Sequence, residues 1–114
     1  MNVYDQANQL ARSIRESDEY KEYQRLKETA YADSTNKALL DEYKRLQFKM
    51  QLKMAQGESM DSDDMERLQK ISNLLQFNSD ASAFLFAELR FQRIIADVYK
   101  ILADVSGIDT ELFQ

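Results

Sequence analysis

The chain predicts an all-α fold: an antiparallel helical bundle or hairpin of about five helices with a long C-terminal helix. Its 114 residues contain no proline and only two glycines, Gly57 and Gly107, too few turn formers for a β-rich chain of this length. Apolar side chains recur at helical spacing along nearly the whole sequence, as amphipathic helices require. Hydrophobic residues make up 44% and charged residues 31%. That is a globular balance rather than a disordered one, and the length suits one domain, residues 1–114, with a modest core.

The elements follow in order. Val3, Ala7, Leu10, Ala11 and Ile14 form one stripe, so a first helix covers roughly residues 3–16. Ser17 is placed to cap a second helix, with Asp18 and Glu19 in its first turn, where carboxylates suit the helix dipole. That helix carries Tyr20, Tyr23, Leu26, Ala30 and Tyr31 toward one side. Asp33-Ser34 restarts the pattern. A third helix then runs from about 35 to 56, with Leu39, Leu40, Tyr43, Leu46, Met50 and Met54 facing one way.

Gly57 ends it, as a residue tolerant of left-handed backbone. Asp61 is the expected N-cap of a fourth helix, with Asp64 three residues on completing a carboxylate capping box and Met60 and Met65 as a hydrophobic staple. The third and fourth helices therefore read as an antiparallel hairpin around Gly57-Glu58-Ser59. Met65, Leu68, Ile71, Leu74 and Leu75 mark the fourth helix. Asn78, Ser79 and Asp80 are either a cap or a kink, so the fifth helix, about 80–105, is separate from the fourth or the second limb of one bent helix.

The fifth helix holds more apolar surface than one face accommodates. At about 100° per residue, Phe84, Ala87, Phe91, Ile94, Ile95, Val98, Ile101, Leu102 and Val105 form a broad arc read as the core face. Leu85, Leu89, Ala96 and Ala103 form a second stripe. Phe86 projects from a third side, among Arg90, Arg93, Asp97 and Lys100. On the third helix Phe48 and Leu52 also lie off the main stripe. One reading makes the fifth helix central and surrounded, the other makes the second stripe a subunit interface or docking face, and the two are compatible. Phe48, Leu52, Leu85, Phe86, Leu89 and Ala96 are the candidate interface, and two such helices in so short a chain favour self-association.

Candidate chemistry is sparse. The chain has no cysteine and no histidine, which removes disulfides, thiolate chemistry, the commonest general base and the commonest metal ligand. The acidic run Glu58, Asp61, Asp63, Asp64 and Glu66 fails as a calcium loop. Counted from Asp61, the sixth position is Glu66 instead of glycine and the twelfth is Ser72 instead of glutamate. Lys44, Arg45, Lys49 and Lys53, with Phe48 among them, make a candidate nucleic-acid contact. Four cations on a chain of net charge −5 are a small footprint, and the plainer reading is a solvated face. Glu88 lies between the two apolar arcs of the fifth helix and is read as half of a structural ion pair, since a buried unpaired carboxylate is costly. No catalytic, cofactor-binding or metal-ligating constellation emerges, so an enzyme is not expected. The start, MNVYDQANQLARS, has no basic region followed by an apolar one, and no segment has the length of a membrane span. The expectation is a soluble intracellular protein.

With these residues described, the chain resembles the YlbF/YmcA family of small helical proteins of Bacillota, and its YheA-like branch in particular. The resemblance rests on NVYDQANQLARSIRESDEY at the start, the restart at Asp33, QLKMAQGESMDSDDMERL around the hairpin, and Ala87-Glu88 followed by ADVYKIL in the last helix. It implies an all-helical, dimer-forming cytoplasmic protein. YlbF and YmcA act with a third protein as accessories to a membrane-bound endoribonuclease, and so affect RNA maturation, competence, sporulation and biofilm formation. Some members hold iron–sulfur clusters on cysteines. This chain has none, so that cofactor does not carry over. The resulting expectation is a non-enzymatic adaptor or regulator working by protein–protein contact. It is a homodimer with protein partners in RNA-processing machinery and without a nucleic-acid or membrane partner. The competing expectations are a direct RNA-binding accessory and a purely structural homo-oligomer.

Overall fold

Polar side chains at the helix ends set the element boundaries. The computed structural model describes residues 2–107. It contains five helices: α1 (Val3–Arg15), α2 (Asp18–Ala32), α3 (Ser34–Ala55), α4 (Ser62–Gln76) and α5 (Ser79–Ser106), with no strand among the described residues. Asn2 opens α1 by accepting a 2.8 Å bond from the Asp5 N–H. The Ser17 hydroxyl serves two helices: it donates to the Ile14 carbonyl at 2.6 Å and accepts from the Tyr20 N–H at 3.2 Å. Asp33 opens α3 by accepting from the Asn36 N–H at 3.0 Å.

The end of α3 explains its glycine. Gly57 has φ of 76°. The Glu58 N–H reaches back to the Lys53 carbonyl at 2.8 Å, and the Gly57 N–H to the Met54 carbonyl at 3.1 Å. This double closure is a Schellman motif, which needs a left-handed residue at that position. Asp61 does stand at the N-cap of α4, but it makes no side-chain cap bond. Its carboxylate meets Lys53 at 3.4 Å, and Asp64 meets Lys49 at 2.6 Å. The capping expected of Asp61 is corrected accordingly: its carboxylate is turned to the cation across the hairpin and not to the N–H groups of its own helix. Helices α4 and α5 are separate. Asn78 accepts from the Ala81 N–H at 2.9 Å through its side chain, so it acts as the cap and the bent-helix alternative falls.

The chain divides into two compact units, and α2 and α5 each run through both. The first is Leu26–Phe84, built on the α3–α4 hairpin. Leu40, Leu46, Ile71, Leu75 and Phe84 are its large buried side chains, each worth roughly 1.5–3 kcal/mol against exposure. The Tyr31 ring meets Phe84 edge-on at 5.5 Å, and the Lys44 ammonium lies 5.0 Å from the same ring's centre. Four polar rungs fix the antiparallel register: Asn36 with Asn78, Glu42 with Arg67, Lys49 with Asp64, and Lys53 with Asp61. As residue number rises along α3, its partner's number falls.

Among the described residues, the other unit joins residues 2–25 to residues 85–107. Tyr20 and Tyr23 each present an edge contact to Phe91 at 5.2 Å. Arg90 reaches Glu22 at 3.6 Å. No residue of α1 is fully buried; Ala11 and Ile14 are half-buried, while Val3 and Leu10 are exposed.

The core face read for α5 is corrected in part. Phe84 and Ala87 are buried, and Phe91, Ile94, Ile95 and Val98 are half-buried, as an inward arc requires. Ile101, Leu102 and Val105 on the same arc are exposed, whereas Ala103 from the second stripe is buried. A helical wheel assigns angle alone, and a face is buried only where another element lies along it.

Candidate interaction faces

The residues left over from the two cores define the faces. On α5, Phe86 is 60% and Leu89 62% exposed, Ala96 is exposed and Leu85 is half-buried. On α3, Phe48 is 63% and Leu52 48% exposed. All six candidate interface residues thus keep apolar surface accessible in the single chain. An isolated exposed apolar residue is ordinary, but neighbouring large ones on one helix face are less so. Leu89 in particular is not core, although Ala103 at the far end of the same stripe is buried.

The basic stripe of α3 is placed differently from its sequence appearance. Lys49 and Lys53 pair with Asp64 and Asp61, and Lys44 lies over the Phe84 ring. Arg45 is exposed. The acidic run after Gly57, which failed as a metal loop, supplies those carboxylates, and Glu66 pairs with Lys70 at 3.5 Å. Hydrogen bonding from Lys49 holds the Asp64 carboxyl below its ordinary range, aided by its charge and those of Arg45 and Lys53. The two-pronged Arg67 bond, both prongs at 2.9 Å, does the same for Glu42. Both pairs are partly exposed, so their net worth is small and salt-sensitive.

Glu88 is half-buried and lines an open hollow of about 200 Å³ with Tyr23, Phe91, Gln92 and Ile95. Arg90, two residues on, pairs with Glu22. No group of three or more His, Cys, Asp or Glu residues able to hold a metal ion occurs among the described residues. No helix among them is long and apolar enough to cross a membrane.

Sequence reasoning missed all four polar pairs that organise the hairpin, Asn36–Asn78 and Glu42–Arg67 as well as the two lysine pairs. Asn36 left a signal. It lies four residues before Leu40, so it falls on the buried side of α3 as a lone amide in an apolar row. Glu42–Arg67 left none, because their pairing depends on the register of two helices.

Fold and faces together define a class: a small all-α protein whose helices carry exposed apolar faces. The chain belongs to the family described as control of competence regulator ComK, YlbF/YmcA, which matches it over residues 3–105. It is 36% identical over 112 residues to a UPF0342 protein of Caldicellulosiruptor bescii, covering 98% of this chain and 94% of that one. A UPF0342 protein of Symbiobacterium thermophilum is 30% identical over 107 residues, covering 94% and 96%. Among solved structures, a protein of unknown function (DUF964) from Bacillus stearothermophilus superposes with a TM-score of 0.75, covering 92% of both chains. At 24% identity this likeness speaks to the fold alone.

Proposed function

We propose that the protein is a non-enzymatic helical adaptor or regulator that acts through protein–protein contacts and works as a homodimer. The observation that carries this reading is the pair of accessible apolar faces, Phe86 and Leu89 on α5 and Phe48 and Leu52 on α3. Covering one such side chain is worth roughly 1.5–3 kcal/mol, and a cluster of them is needed to offset the several kcal/mol that association costs. Two faces suit one contact with a second copy and one with a different protein.

The family's description ties it to control of competence. The process served is accordingly regulatory, in the cytoplasm, with partners in the RNA-processing machinery carried over from the YlbF and YmcA members of the family rather than from the YheA-like branch. Direct RNA binding is less well supported. Lys49 and Lys53 already have carboxylate partners, so a phosphate would have to displace them.

Sedimentation equilibrium at tens of micromolar, together with affinity capture by wild-type and Leu89→Arg protein, tests the reading. The expected result is a dimer whose specific partner is lost on the Leu89→Arg change. A monomeric protein with identical captures by both baits would overturn it. Tight RNA binding near physiological salt, abolished by Lys49→Glu with Lys53→Glu, would replace it with the RNA-binding reading.

A further inference from the structure

The outward side of α3 carries a seam that the protomer leaves uncovered. Ser34, Ala38, Asp41, Arg45, Phe48 and Leu52 are all exposed, and they follow one another at alternating steps of four and three residues. That is the spacing of a coiled-coil seam, with two contact positions in every seven residues. Asn36, Leu40 and Leu46 on the opposite side are buried against the hairpin. We propose that this seam packs against the same seam of a second copy, helix against antiparallel helix. The proposal rests on the homodimer reading above and names the surface and register of its self-contact.

Charge and size select the direction. A parallel pairing sets Asp41 against Asp41 and Arg45 against Arg45, and like charges facing across a contact are costly. An antiparallel pairing whose two-fold axis passes between Asp41 and Arg45 sets each carboxylate against the other copy's guanidinium. In that register Phe48 covers Ala38 of the second copy, and Leu52 covers Ser34. The large end of one seam therefore fills the small end of the other, and the symmetry makes every contact twice.

Asp41 and Arg45 are available for this. They stand four residues apart on one helix, yet neither side chain makes a hydrogen bond or ion pair within the protomer among the described residues. Arg45 acts on Glu42 and Asp64 only through its charge. The flanking groups nearest the axis, Glu42 and Lys44, are occupied by Arg67 and by the Phe84 ring. A shorter antiparallel register that stacks Phe48 on Leu52 overlaps less of α3 and leaves both Asp41 and Arg45 unmatched.

Charge reversal tests the register. Asp41→Arg and Arg45→Asp should each weaken the dimer at least about tenfold in sedimentation equilibrium, and combining them should restore affinity to within about threefold of wild type. The substituted positions are exposed, so circular dichroism should show unchanged helicity in all three variants. Ala38→Cys with Phe48→Cys should give a covalent dimer on mild oxidation, and no other cysteine exists in the chain to confuse it. A dimer indifferent to both single reversals, or a double variant that stays weakened, would overturn the seam while leaving the homodimer standing. A wild-type protein monomeric at every concentration tested would overturn both.

Discussion

The Asn78 amide donates a 2.7 Å hydrogen bond to the Asn36 carbonyl oxygen and receives a longer one, 3.4 Å, in return. Asn78 also accepts from the Ala81 N–H. One side chain therefore ties α3 to the junction of α4 and α5 and starts α5. Asn36 is buried, so its amide has no water to fall back on. Asn36→Ala should cost about 1–3 kcal/mol by leaving polar groups unmatched. Asn78→Ala should cost more, because a cap goes with it. Urea melts of both singles and the double should show strong non-additivity, since the two residues share one interaction.

Gly57 isolates a purely conformational effect. A Cβ added there meets nothing within 4 Å, but φ is 76°. Gly57→Ala should therefore destabilise by roughly 1–2 kcal/mol, the penalty of left-handed backbone for a residue with a Cβ. Gly57→Asn should cost less than Ala, since Asn visits this region more readily. Thermal melts of the two variants check the order.

The hairpin ion pairs predict acid sensitivity. Hydrogen bonding to Arg67 and to Lys49 depresses the Glu42 and Asp64 carboxyls when the chain is folded. The unfolded chain then binds protons at higher pH than the folded one. Their contribution is present above the ordinary carboxylate range and is lost as pH falls through the depressed folded values. Asp64→Asn should lower stability at neutral pH and flatten the acid limb, and the gap from wild type should close in acid. High salt should shrink the effect at neutral pH, because both pairs are partly exposed. Denaturant midpoints across an acid series measure this.

Phe84 and Phe86 stand two residues apart on α5, one fully buried and one exposed. Phe84→Ala should cost about 3–5 kcal/mol, the usual loss for a core phenylalanine. Phe86→Ser should change the stability of the protomer by no more than about 0.5 kcal/mol. If the α5 face is an interaction surface, Phe86→Ser should nevertheless impair partner capture. Calorimetry and capture, run on both variants, separate the two roles.

Much of this architecture is local and therefore readable. The two hydrogen bonds of the Ser17 hydroxyl, the Asp33 cap and the Gly57 closure each involve residues within five positions of one another. Asp61 shows the limit. Its position as a cap was legible, but its carboxylate left the helix end for Lys53, eight residues back on α3. The candidate faces were legible as excess apolar residues. Which of them remain accessible was not: Ala103 and Val105 on α5 exchanged the expected roles.

By itself the sequence determined that the chain is helical, where its helices begin and end apart from the junction at Asn78, and that the third and fifth helices hold more apolar side chains than one face can bury. Backbone capping and periodicity act over one or two turns, so those features are written into short stretches. The tertiary structure alone decided which lysine meets which carboxylate, that Asn36 and Asn78 pair, and that Ile101, Leu102 and Val105 stay exposed. Each of these depends on where a second helix lies, at what register and over what length. An ion pair or buried contact joins residues far apart in the chain, and no short stretch of sequence carries that distance.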